Sequence, residues 1–199
     1  MKRWTMLMLA AALTGAAAGA GAQTAGSESE AFLKAVREAD GDKVIALESK
    51  LGPSVINYRG HDGETPLTAA MANRSIAFVR FLLSKGADPN IADKRGETAL
   101  ITAARSGYVE GIDLMLDSKA DVDVPNRQGE TALIVAVQGR FGPAVKRLLQ
   151  GEANADKRDF AAGYSAREYA KRDTRNPELL RLIESVKAGA KTAVGPSRN

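Results

Sequence analysis

His61 and Asp62 are neighbours in the chain, and an imidazole beside a carboxylate is the minimum of a general base with its orienting group. Nothing accompanies them: the 199 residues include no cysteine and no second histidine. That excludes thiol nucleophiles, disulfides, thiolate metal sites, histidine-rich zinc sites and a lipid-modified N-terminal cysteine. His61 therefore reads as a solvated loop residue that can contribute to binding. Acids recur at Glu64, Glu97 and Glu130, one per structural unit and so roughly 10 Å apart. That is too wide for a general acid–base pair or a single metal ion. They should form a ladder offset by Lys94, Arg95 and Arg127, either solvated or lightly paired. Asp88, Asp121, Asp123 and Asp156 lack the dense alternation of oxygen ligands found in a calcium loop, and are expected to hold turns. Gly139, Gly142 and Pro143 lack the Lys-Ser/Thr ending of a phosphate-cradling loop, and should loosen the turn at Arg140 and Phe141. The sequence thus predicts no catalysis, no cofactor and no metal.

The acids recur because the sequence does. Gly-Glu-Thr begins at Gly63, Gly96 and Gly129, a period of 33. A second apolar cluster keeps the same register: Val79, Ile112 and Val145, then Leu82, Met115 and Leu148, then Leu83, Leu116 and Leu149. Within one unit, Thr65 is a good N-cap and Pro66 suits the first helical position, where no amide donor is needed. Leu67 and Ala70 share a helical face, and Ile76, Val79, Leu82 and Leu83 form the apolar stripe of a second helix. Ala69, Ala70, Ala103, Ala104 and Ala136 permit close approach of neighbouring helices. Asp93 to Gly96 and Asn126 to Gly129 fit type I turns. Each unit is a helix, a short turn, a second helix and a protruding hairpin-like loop.

This pattern resembles the ankyrin repeat. The family motif Gly-x-Thr-Pro-Leu-His-x-Ala is matched by Gly63, Thr65, Pro66, Leu67 and Ala70, by Gly96, Thr98, Leu100 and Ala103, and by Gly129, Thr131, Leu133 and Ala136. Thr68, Ile101 and Ile134 stand where the family has histidine, so its hydrogen bonds are missing and the motif should be less rigid. Lys119 and Glu152 replace the glycine that follows the second helix, as Gly86 does, and are expected to hold a costlier backbone conformation. The resemblance implies an all-α repeat solenoid of stacked helix-turn-helix units with protruding hairpin loops. It also implies binding of a protein through the concave face and loop tips. Carried over position by position, the contact residues are His61, Asp62 and Glu64, then Lys94, Arg95, Glu97, Arg105 and Ser106, then Arg127, Gln128, Glu130 and Gln138.

Toward the ends the pattern changes. Lys2 and Arg3, an apolar stretch from Trp4 to Leu13 and the small residues Ala20-Gly21-Ala22 form the signature of a secretory signal, residues 1–22, with an apolar core too short to span a membrane. A linker (23–28) is expected next, then the repeats (29–62, 63–95, 96–128, 129–162 and 163–187) and a disordered tail (188–199). The degenerate first repeat is assigned Phe32, Leu33, Ala35, Val36, Val44, Ile45 and Leu47. The formal net charge of +4 falls to −1 over residues 23–186, which hold 23 basic against 24 acidic residues, so the basic face of a nucleic-acid binder is missing. Seven basic residues between Lys157 and Arg181 against four acids read as the exposed face of a capping repeat. The expectation is a periplasmic or secreted protein, monomeric alone, acting as a non-catalytic adaptor for a protein partner in a bacterial cell envelope. The alternatives are an exported effector that binds a host protein and a binder of a small-molecule or cell-wall ligand.

Overall fold

The computed structural model describes residues 17–192, and the side chains of residues 26–185. Their secondary structure is helical: α1 (Ala17–Arg37), α2 (Gly41–Leu51), a 3₁₀ turn (Pro53–Val55), α3 (Pro66–Ala72), α4 (Ile76–Ser84), α5 (Ala99–Arg105), α6 (Val109–Asp117), α7 (Ala132–Gln138), α8 (Gly142–Gln150), α9 (Ala166–Arg172) and α10 (Pro177–Thr192). An isolated antiparallel bridge, Arg158 to Ser165, is the one β pairing among the described residues. Odd-numbered helices pack on one another in chain order, as do α4, α6, α8 and α10, giving the two layers of an all-α solenoid.

Short helices of seven residues need defined starts. Thr65, Thr98, Thr131 and Ser165 each cap the first helix of a unit, their side-chain oxygens accepting the amide three residues on. The expected loss of rigidity at the missing histidine is not met at Thr68. Its hydroxyl accepts the Thr65 amide at 2.8 Å and closes a capping box. Ile101 and Ile134 replace the polar contact with burial instead, at 1% and 0% exposed. Alanine along α3, α5 and α7 lets these helices approach closely, while Val79, Ile112, Val145, Leu82, Met115 and Leu148 are sealed between the layers.

The turn at Arg140 and Phe141 is not loosened. The amides of Arg140 and Phe141 bond to the carbonyls of Val137 and Ala136, as those of Arg74 and Ser75, and of Gly107 and Tyr108, bond in the preceding units. The Phe141 ring lies where a side chain on Gly107 or Gly139 would sit, so these glycines clear space for it. Lys119 and Glu152 do adopt the left-handed conformation, with φ of 59° and 66°, where Gly86 has 88°. Lys119→Gly is accordingly expected to raise stability by about 0.5 kcal/mol, the relieved strain exceeding the added freedom of the unfolded chain. Chemical denaturation of the two proteins measures it.

The terminal units depart from the expected boundaries. Residues 23–28 lie inside α1 rather than forming a linker, and α10 continues to Thr192, into the segment read as a disordered tail. Of the proposed signal, residues 1–16 lie outside the described residues, as do residues 193–199 of the tail. In the first unit Phe32, Leu33, Ala35, Val36 and Val44 are buried, but Ile45, assigned to the core, is 59% exposed because α2 has no helix on its outer side. In the last unit Ala166, Ala170, Leu179 and Ile183 are buried, while Arg158, Lys171, Arg172, Arg175 and Arg181 are exposed, as expected of a capping repeat's outer face, with several basic residues paired within the chain. Arg158 meets Glu168, Arg167 meets Asp156, and Arg172 lies 4.4 Å from the centre of the Tyr164 ring.

Carboxylates in this last unit carry an acid sensitivity. Burial alone would raise Asp159, but the Tyr169 hydroxyl at 2.5 Å and the amides of Ala162, Gly163 and Tyr164 outweigh it and hold the acid below its ordinary value. The Ser165 amide, chiefly, lowers Glu168, and the Arg140 guanidinium lowers Asp173. A lowered folded value means that the unfolded chain takes up protons first. The stabilisation is complete above the ordinary carboxylate range near pH 4 and is lost as pH falls through the lower folded values. Hydrogen exchange of α9 and α10 should therefore accelerate below about pH 4 before that of α5 and α7, and Asp159→Asn should reduce the difference.

Candidate functional site

Two sets of bonds fix where the hairpins stand. At their tips, the amides of Lys94, Arg127 and Phe160 donate to the carbonyls of Asp62, Arg95 and Gln128, at 3.0, 2.9 and 2.7 Å. At their bases, the amides of Asp88, Asp121 and Asn154 donate to the side-chain oxygens of Asn57, Asn90 and Asp123, each one unit earlier, at 2.8 to 2.9 Å. Asp88, Asp121 and Asn154 also accept the amide two residues on. The recurrent loop acids thus hold turns, as expected, and Asp156 at the end of the series meets Arg167.

Two of the three ladder glutamates, Glu97 and Glu130, are largely withdrawn from solvent, and the countercharges are not those the sequence suggested. The Glu97 side chain is 8% exposed and grips the Arg105 guanidinium at 2.6 and 3.3 Å. Asn126 spans two units, its amide donating to Glu97 and Glu130 at 2.9 Å each. Its oxygen accepts the amides of Gln128 and Glu130. Burial works against the charge on Arg105, but Glu97 and then Glu130 outweigh it and raise its already high value. Glu64 pairs with Arg37 at 2.6 Å. These acids join units together, so Glu97, Glu130 and Arg105 are first of all structural. Ser106 joins them in that role, its hydroxyl donating to the Thr102 and Ala103 carbonyls.

Above this layer the remaining predicted residues face solvent. His61, Asp62, Lys94, Arg95, Arg127, Gln128 and Gln138 are exposed, and no hydrogen bond joins His61 to Asp62. Two adjoining grooves run between the tips and the first helices. The larger, about 460 Å³, is lined by Asp62, Glu64, Lys94, Arg95 and Glu97 together with Thr68 and Thr102. The smaller, about 370 Å³, lies among Lys94, Arg95, Glu97, Arg105, Arg127 and Gln128. The structure thus brings eight of the predicted residues to one continuous face and leaves His61, Ser106, Glu130 and Gln138 outside the grooves. It adds one residue, Phe160, which is 74% exposed at the fourth tip. Counting 33 residues on from Arg127 finds it.

A family model described as ankyrin repeats (3 copies) matches residues 32–126 and 69–159. The chain belongs to the ankyrin-repeat family. No curated protein matches it. Ankyrin repeats are in general protein–protein interaction modules and typically non-catalytic scaffolds, and the grooved face of this ankyrin-repeat protein is where exposed charge and shape coincide. Among the described residues, no helix is long and apolar enough to cross a membrane.

Proposed function

We propose that this ankyrin-repeat protein is a non-catalytic adaptor that holds a protein partner along its grooved face in a bacterial cell envelope. The observation that carries the binding role is the pair of adjoining grooves rimmed by Lys94, Arg95 and Arg127, exposed cations on a rigidly tied row of tips. Four to five units at roughly 10 Å each give a face long enough for the ~800 Å² that a partner must cover. Export is supported by Lys2, Arg3, the apolar stretch that follows and Ala20-Gly21-Ala22.

Crosslinking in the native envelope, followed by capture and identification, tests both parts. The control replaces Lys94, Arg95 and Arg127 with alanine and spares Arg105, whose loss would strand Glu97. One protein captured by wild type and lost by the variant is the expected result. Equal capture by both would move binding off this face, and capture of nothing would favour the exported-effector or ligand-binding alternatives. Fractionation into cytoplasm, periplasm and medium checks the location.

A further inference from the structure

The tips place equivalent residues at intervals of 33: His61, Lys94, Arg127 and Phe160. Tip-to-tip backbone bonds hold them on one edge. Lys94 and Arg127 are exposed, and among the described residues neither side chain has a hydrogen-bond or ion-pair partner. The Arg95 side chain is 81% exposed and touches Asp93 alone, at 3.3 Å. Around Lys94, Arg95 and Arg127 the acids are turned inward, whereas Asp62 at the first tip is exposed. The side chains of Glu97, Asp93 and Glu130 are 8%, 13% and 17% exposed, held by backbone amides, Asn126 or Arg105. Charge at the second and third tips is therefore layered, carboxylates beneath and cations above. Whatever approaches meets cations first, and at the far end it meets an exposed aromatic ring.

Resting on the adaptor reading above, we infer that the partner presents an acidic extended segment closed by an apolar residue. Its carboxylates meet Lys94, Arg95 and Arg127, and its apolar side chain covers Phe160. Tips roughly 10 Å apart match one turn of extended polyproline II chain, three residues at ~3.1 Å each, which puts every third side chain on the same side. Acidic residues at i and i+3 then reach Lys94 and Arg127, and an apolar residue at i+6 reaches Phe160. The charges set register and association rate, while the aromatic contact holds the complex.

A random peptide display library selected on the folded chain tests this, the enriched peptides then being synthesised and their affinities measured by fluorescence anisotropy. The expected consensus is acidic at two positions three apart, with an apolar residue three further on. The charge reversal Lys94→Glu with Arg127→Glu should weaken binding more than ~10-fold and remove most of its salt dependence. Phe160→Ala should weaken it about 10-fold at unchanged salt dependence, and Phe160→Leu should restore most of the affinity. Circular dichroism melts confirm that each variant folds. Peptides of neutral or basic consensus that bind and are lost on these substitutions would overturn the acidic segment and leave the adaptor face standing. Enrichment of nothing overturns the extended segment, and peptides that bind but that no substitution on this face affects overturn both. Retention of a DNA oligonucleotide by wild type and not by the charge reversal would assign the cations to nucleic acid instead.

Discussion

Leu100→Ala should lower the free energy of unfolding by about 2–5 kcal/mol. Leu100 is 1% exposed in α5, which packs against α3 on one side and α7 on the other. Truncation there removes apolar contacts and leaves a hole that two neighbouring units share, with little freedom to collapse because alanines already bring the helices close. Such a loss is large against the total stability of a domain this size. In a solenoid each unit contacts only its neighbours, so the damage should also split a cooperative melt into separate transitions on either side of α5. Lys94→Ala, at an exposed tip, should stay within about 0.5 kcal/mol of wild type. Urea titration of the three proteins reads both effects. A neutral Leu100→Ala would mean that the 33-residue register does not describe the core.

A comparably large effect is expected at Gly96, and its counterpart in the last unit supplies the contrast. Gly96 has φ of 80°, and a β-carbon there would lie 2.8 Å from the Arg127 amide and 2.9 Å from the Asn126 α-carbon. The obstacle is backbone, and it is the backbone that carries the tip-to-tip bond. Gly163 has φ of 71°, but among the described residues no hairpin packs on it, and a β-carbon would meet nothing within 4 Å. Gly163→Ala should therefore cost about 1–2 kcal/mol, the strain of the left-handed conformation alone. Gly96→Ala should cost about 2–5 kcal/mol, because the displaced hairpin adds overpacking to that strain. Equal losses at the two sites, measured by chemical denaturation, would show that the close approach of successive hairpins contributes nothing.

What could be read from the sequence was local. Thr65, Thr98 and Thr131 announce helix starts because a cap acts within three residues, and Lys119 and Glu152 announce strain because a chain reversal there needs a left-handed residue whatever occupies it. The countercharges of the glutamates were not readable in the same way. Glu97 and Asn126 are 29 residues apart, and they meet only when one hairpin is laid on the next. A trace was present even so. The first turn position is Asp93 in one unit and Asn126 in the next, and only the amide can donate to two carboxylates at once. Phe160 escaped for another reason. The last unit begins 34 rather than 33 residues after Gly129, so the motif glycine draws the eye past a tip that still keeps the old spacing. The looseness expected at Arg140 and Phe141 does not occur, because Gly107 and Gly139 make room for the Phe141 ring.

The bonds between units have a consequence for how such a chain can grow. Each tip amide finds its carbonyl 32 residues earlier, and each base amide finds its side-chain acceptor 31 residues earlier. A duplicated copy of residues 96–128, inserted in tandem, would therefore meet a ready acceptor and a ready donor at both new junctions. Asp121 of the copy would fall on Asp123, which already accepts the amide of Asn154. Lengthening by whole units leaves every junction satisfied, whereas an insertion of another length between a donor and its acceptor puts the row out of register; the extra residue before Gly163 lies past the last tip donor, Phe160. The array is a tape that can be spliced at one interval only.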